Sequence, residues 1–203
     1  MERVRKPRVH RESREAEIVD AAIRCVLRSG FHGTPMDAIA REAGLSVGVI
    51  YRYFPSKEAI IEAIVTRDLD DLRTKVANTA GPGVAKAGHD DPEGLRGFVE
   101  RQHNRTRSAL RLEIYAEAAR NPKVEAVVRR AAEVERDLVR QLLLRYLPAD
   151  TPGADLAGRA DVMRIIADGL LVNGLYAGAD SIGHLLPRLH ATLTQIFSPK
   201  PEA

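Results

Sequence analysis

Between Ser46 and Lys57 the sequence places hydroxyls, phenols and cations at helical spacing: Ser46, Tyr51, Arg52, Tyr53 and Lys57. Hydroxyl and cationic donors on a short helix are groups that position a protein on phosphate oxygens. Ser46, followed by amides with no partner inside the helix, suits an anion at a helix N-terminus. Val47, Gly48 and Val49 put little bulk at the leading end. A backbone there can come close to base edges, and valine methyls complement thymine methyls. The chemistry is that of a nucleic-acid contact.

Two common catalytic patterns are absent from the sequence: there is no HExxH and no glycine-rich phosphate loop. Cys25 is the only cysteine and falls among the apolar positions of a helical stretch, as a small core residue does. His184 and His190 lie six positions apart, on different faces of a helix, which argues against a shared metal. Glu113 and Glu117 share a face, but carboxylates four apart are commonplace on solvated helices. An enzyme is therefore the weaker alternative, and the sequence indicates no cofactor and no catalytic metal.

Composition narrows the field further. With 4% aromatic residues and no Trp, a base-stacking platform or an aromatic sugar groove is hard to build. The formal charge of +3 is uninformative, but its distribution is not. Arg3, Arg5, Lys6, Arg8, Arg11 and Arg14 oppose only Glu2 and Glu12, a basic arm suited to phosphates or to solvent. A lone cysteine fits a reducing compartment. No apolar run approaches the roughly 20 residues of a membrane span, and the N-terminus has no signal-peptide core. The expected location is cytoplasmic, without a membrane partner.

The elements that must carry these residues all read as helix, so the expected class is all-α. Residues 11–29 place Ile18, Ala22, Cys25 and Val26 on one face, and Gly30 follows as a left-handed stop. Thr34 is expected to cap the next helix, with Pro35 at its first position and Ile39, Ala40 and Ala43 inward. Ser46 caps residues 47–54, and Pro55 ends them. Ser56 caps a fourth helix that runs towards Thr79. Gly81-Pro82-Gly83 is a break. Helices are expected over 92–119, 122–147, 156–178 and 182–197.

Residues 34–57, TPMDAIAREAGLSVGVIYRYFPSK, thus form two short helices joined at Ala43-Gly44-Leu45-Ser46, a helix-turn-helix. Leu45 and Ile50 plug the gap between them, and the second helix is free to enter a major groove. A Gly turn with apolar spacing also fits an ordinary helical hairpin, with Tyr51 and Tyr53 as half-buried aromatics. The longer string discriminates. Ile18, Ala21-Ala22, Gly30-Phe31, Thr34, Ile39-Ala40, Ala43-Gly44-Leu45-Ser46, Gly48, Tyr51, Tyr53-Phe54 and Lys57-Glu58 resemble the N-terminal domain of the TetR family over residues 13–61.

That resemblance implies a DNA-binding transcriptional regulator, usually a repressor, with a second helical domain for a ligand and for dimerisation. The expected organisation is a basic arm over 1–10, a helix-turn-helix domain over 11–55 and a regulatory domain over 56–203. Thr34, Tyr51, Tyr53 and Lys57 match phosphate-contacting positions. Val47, Gly48, Val49 and Arg52 match the base-facing part of the recognition helix. Many members carry His at the position of Tyr53. The implied partners are double-stranded operator DNA, a second copy of the chain as homodimer, and a small-molecule effector. Removing residues 1–10 is expected to flatten the salt dependence of DNA binding.

For the second domain, the polar groups on otherwise apolar helices are candidate effector contacts: Gln102, His103, Arg111, Tyr115, Asn173 and Tyr176. Two apolar stripes are candidate dimer faces: Val162, Ile165, Ile166, Gly169 and Leu170, then Leu186, Leu189, Leu193 and Ile196. Packing on the chain's own core explains the same stripes, as binding to another protein explains a second domain without a small ligand.

Overall fold

The structure, a computed structural model, describes residues 8–78, 92–176 and 181–198. Among these there are nine helices and no strand: α1 (Arg8–Ser29), α2 (Met36–Glu42), α3 (Val47–Tyr53), α4 (Lys57–Asn78), α5 (Pro92–Gln102), α6 (Arg105–Ala118), α7 (Pro122–Leu143), α8 (Gly153–Tyr176) and α9 (Ser181–Phe197). The all-α expectation is met. Of the basic arm, residues 8–10 begin α1. The rest of the arm and the Gly81-Pro82-Gly83 break lie outside the described residues.

The chain divides into two compact units. The first holds the described residues up to Arg67 together with Leu110–Val128. Its core draws Ile18, Ala22, Cys25 and Val26 from α1, Ile39 and Ala40 from α2, Ile50 from α3 and Ile60, Ile61 and Ile64 from α4. Ile114 and Val124, from the later segment, complete it. The alanines at 21, 22 and 40 are almost wholly enclosed, which lets α1 and α2 approach closely. Gly44 ends α2 at φ +65°, and the Leu45 N–H reaches the Ala40 carbonyl at 2.9 Å while the Gly44 N–H reaches that of Arg41. This paired pattern closes a helix C-terminus with a left-handed residue that glycine adopts without a Cβ clash.

Thr34 does not cap α2. The helix starts one residue later than expected, with Pro35 at the cap position and no side-chain cap bond. The Thr34 hydroxyl instead donates to the Gly30 carbonyl at 2.7 Å, and the residue is 1% exposed. The expected cap at Ser46 is present, its Oγ accepting from the Val49 N–H.

The second unit holds the described residues of 68–109 and those from Arg129 onward. Leu143, Leu147, Leu156, Ala160, Met163, Leu193 and Ile196 form a core cluster, with Phe98, Val139, Ile166 and Phe197 against it. The Tyr146 and Phe197 rings meet edge to face at 5.3 Å. Arg159 closes the end of α9 by donating to the carbonyls of Ile196 and Ser198. Cationic donors near a helix C-terminus satisfy carbonyls that lack an intrahelical partner.

The single helix expected over 92–119 is two. Asn104 interrupts it: its Oδ1 accepts from the Arg107 N–H at 3.0 Å and caps α6. Asparagine offers the backbone this alternative wherever the chain can turn. Here the chain turns where α5 meets α8. A Cβ built on Gly174 would lie 2.9 Å from the His103 carbonyl oxygen, so only glycine lets the two backbones come so near.

Candidate nucleic-acid interface

Position on α3 separates buried from offered residues. Ile50 is fully buried and anchors the helix, while its neighbours face outward. Ser46, Val47, Gly48, Tyr51 and Arg52 are exposed, with Val47 at 37% and Tyr51 at 50%. Arg52 has no hydrogen bond or ion pair with any described residue, so its guanidinium is uncommitted. A Cβ on Gly48 would meet nothing within 4 Å. The fold therefore has no need of glycine there, although an exposed helix interior pays roughly 0.5–1 kcal/mol for it relative to Ala. A close approach by something outside the chain is the physical use that remains for it.

The other expected contacts are less exposed. Val49 and Tyr53 are half-buried, Tyr53 lying under the Arg11 guanidinium at 6.0 Å. Lys57, also half-buried, donates from Nζ to the Phe31 carbonyl at 2.7 Å and lies 4.5 Å from the centre of the Phe31 ring. Burial pushes its ammonium below the ordinary lysine range, against the pull of Glu117 and Glu58. Thr34 is enclosed. In this structure Thr34 and Lys57 brace the turn that precedes the helix-turn-helix, and of the residues expected to contact DNA, Ser46, Val47, Gly48, Tyr51 and Arg52 are exposed to solvent.

Sequence reasoning missed part of the machinery behind this surface. Glu113 and Glu117, read as solvated, are not. The Glu113 Oε2 accepts the Phe31 N–H at 3.0 Å. Glu117 is 8% exposed and holds Arg120 at 2.8 Å and the Asn121 amide at 3.3 Å. Asn121 in turn donates to Glu58 at 3.2 Å. Glu58 is held below the usual carboxylate range by its own backbone N–H, then by Ser56 and Asn121. Glu42 is held low likewise, by Arg24 and then Arg28.

Among the candidate effector residues, the structure links three. The His103 Nε2 lies 3.1 Å from the Asn173 Oδ1, and the Asn173 amide reaches the Tyr176 hydroxyl at 3.5 Å. Gln102 is 9% exposed, and its Oε1 has no partner. Arg111 and Tyr115 join each other at 2.9 Å and belong to the first unit, whereas the other four candidates belong to the second.

The expected dimer stripes also divide. Val162, Ile165 and Gly169 are exposed, Ile165 at 63%, and Val172 and Tyr176 extend their line along α8. Leu170, Leu193 and Ile196 are buried in the chain itself, at 5%, 7% and 8%. Ile166, Leu186 and Leu189 are half-buried. An open groove of about 430 Å³ between α8 and α9 is lined by Gly158, Val162, Thr192 and Ile196 among others. None of the six effector candidates lines it. No described helix is long and apolar enough to cross a membrane.

Comparison with known proteins bears on what these surfaces do. Residues 18–64 match the model of "Bacterial regulatory proteins, tetR family", and residues 87–198 match that of "Tetracyclin repressor-like, C-terminal domain". The HTH-type transcriptional regulator BetI of Burkholderia ambifaria is 28% identical over 169 residues, 83% of this chain and 85% of that protein. Among solved structures, Salmonella enterica GusR superposes with a TM-score of 0.73 at 23% identity, covering 97% of this chain and 99% of that one. The transcriptional regulator FadR from Bacillus subtilis, solved in complex with stearoyl-CoA, superposes with a TM-score of 0.61 at 14% identity, covering 92% and 99%.

Proposed function

Given that the chain belongs to the TetR family of DNA-binding transcriptional regulators, we propose that it is a cytoplasmic, homodimeric repressor. It holds double-stranded operator DNA through α3 and leaves it when a small molecule binds the second domain. The observation that carries this reading is the outward face of α3. There an uncommitted Arg52, exposed Ser46 and Tyr51 hydroxyls, and a glycine that the fold does not require occur together.

On this reading Tyr51 and Ser46 contact phosphates, and Arg52 supplies the hydrogen bonds to base edges. Val47 and Val49 offer methyl contacts, so sequence-dependent DNA shape contributes the remaining selectivity. Tyr53, Lys57 and Thr34 hold the helix at its angle. A second copy of the chain doubles the contacts by occupying a second half-site. Its seat is the exposed line Val162, Ile165, Gly169, Val172 and Tyr176 on α8. Ligand control is supported by the family and by the ligand-bound FadR neighbour. A 100-fold loss of operator affinity requires about 2.7 kcal/mol of coupling between ligand and DNA.

The test is binding to the DNA that flanks the protein's own coding region, at several salt concentrations, for wild type, Arg52→Ala and Tyr51→Phe. Tight, sequence-selective binding that weakens in both variants is expected. Weak and nonselective binding, unchanged in the variants and absent from a genome-wide selection, defeats the proposal.

A further inference from the structure

Three cations converge in the second unit where α4, α5 and α6 meet: Lys75, Arg101 and Arg107. Two carboxylates, Asp68 and Asp71, face them. Arg107 Nη2 reaches Asp68 only at a long 3.4 Å, with side chains 23% and 34% exposed. The Arg107 Nε is closed off from solvent and has no partner. The side chain of Arg101, a half-buried residue, makes no hydrogen bond or ion pair with any described residue. The Gln102 Oε1, next along the chain, is a further buried polar atom without a partner.

Such an arrangement costs folding free energy. A desolvated guanidinium needs hydrogen bonds or a counter-charge, and like charges drawn together repel. Burial, followed by the nearby Arg107, pushes the Arg101 guanidinium below its ordinary range. Lys75 is pushed down in the same way, by burial and then by Arg101 and Arg107. Proteins keep groups in this condition where an external partner completes them.

We propose that the corner bounded by Lys75, Arg101 and Arg107 is an anion site, which takes the carboxylate or phosphate group of the effector. The inference rests on the reading of the chain as a ligand-responsive regulator, and it adds the chemical class of the ligand. The planar guanidiniums suit an oxyanion because each offers paired N–H donors at the spacing of two oxygens. Arg107 already spends one nitrogen on Asp68. Its buried Nε and the whole of Arg101 are left for the ligand.

The experiment follows thermal unfolding of the full chain at constant ionic strength, with increasing butyrate, butyramide or inorganic phosphate. Wild type is expected to show a saturable rise in Tm with butyrate or with phosphate, and none with butyramide. A rise with butyrate identifies a carboxylate head, and a rise with phosphate a phosphoryl group.

Arg101→Gln is expected to unfold at the same Tm as wild type, or higher, in chloride alone, because a crowded and unpaired cation has gone. Its apparent affinity for the anion falls about tenfold or more, the loss of charge-assisted hydrogen bonds. Arg101→Lys recovers part of that affinity. Identical anion responses in wild type and Arg101→Gln, as salt exclusion from any protein surface produces, overturn the proposal. So does a Tm for Arg101→Gln far below wild type, which marks a structural residue. Operator binding of the same samples without anion keeps the two readings apart. Operator binding with no site-specific anion response removes the anion site alone. A site-specific anion response without operator binding removes the regulator alone.

Discussion

The carboxylate of Glu113 accepts the backbone N–H of Phe31 at 3.0 Å, joining residues 82 positions apart in sequence. The carbonyl of the same Phe31 receives Lys57 at 2.7 Å, and its ring lies beneath that ammonium. Phe31 is gripped through both of its backbone polar groups and its side chain, by residues of α6 and α4. The turn that launches the helix-turn-helix is therefore held by tertiary contacts, beyond its own local bonds. Neither partner could be inferred from the turn itself.

Glu113→Ala is expected to destabilise the chain by about 1–3 kcal/mol, because it leaves the partly buried Phe31 N–H without an acceptor. Glu113→Gln keeps an acceptor oxygen and should lose less than half as much. Urea unfolding of the two variants checks the order, and equal losses would show that the carboxylate charge, more than the hydrogen bond, holds the turn.

Gly30 and Gly44 both adopt positive φ, at +70° and +65°, but their surroundings differ. A Cβ on Gly44 meets nothing within 4 Å, whereas on Gly30 it comes to 3.2 Å from the Glu113 carboxylate. Gly44→Ala should cost the conformational strain alone, about 1–2 kcal/mol. Gly30→Ala adds displacement of Glu113 to a similar strain and should cost more. Combining Gly30→Ala with Glu113→Ala should then give less than the sum of the single losses.

Much of the first unit was legible because its signals are local. Ile18, Ala22, Cys25 and Val26 repeat at helical spacing, Gly44 stands where a left-handed residue is needed, and Ser46 caps as its position predicts. What failed depended on distant residues. Thr34 has the right type and place to cap α2, but its hydroxyl finds the Gly30 carbonyl instead. The apolar period across residues 92–119 continues through Asn104, so periodicity alone hid a break that an asparagine cap makes. On α8 and α9 the apolar residues exceed one face. Sequence could not tell Ile165, left outside, from Leu193, turned in, because that choice is made by Leu143, Leu156 and Met163 from other parts of the chain. The cations of the α4–α5–α6 corner carry no sequence pattern at all.

Gly48→Ala separates folding from recognition. The position is exposed and open, so alanine should stabilise the fold by about 0.5–1 kcal/mol. The same methyl would stand between α3 and the bases, and operator affinity should fall. A variant that is more stable and binds DNA as well as wild type would mean that the backbone of α3 stays away from the groove.

Stability should rise with pH at both ends of the range. Glu58 and Glu42 are held below their ordinary value of 4.5. Their stabilisation is complete above that value and is lost as pH falls through their lower folded-state values. Glu58→Gln should flatten this acid limb. Lys57 is held below its ordinary 10.5, so the folded state releases its proton before the unfolded chain does. Its contribution therefore makes stability rise with pH from its folded-state value up to 10.5. Lys57→Met should abolish that alkaline rise, which urea titrations at stepped pH would reveal.

The α8 surface offers the sharpest test of assembly. Ile165 is 63% exposed, on a line with Val162, Gly169, Val172 and Tyr176, whereas Leu193 is 7% exposed within the chain's own core. A charge at Ile165 touches nothing that the single chain needs, and surface changes of this kind usually alter stability by no more than about 0.5 kcal/mol. Ile165→Glu should therefore remain helical but sediment as a monomer. It should also bind an operator with two half-sites no better than one with a single half-site, because the second set of contacts has been lost. Leu193→Glu buries a charge and should unfold the second unit outright. If Ile165→Glu still sediments as a dimer and still prefers two half-sites, the second copy sits on another face, and the exposed apolar line on α8 serves some other partner.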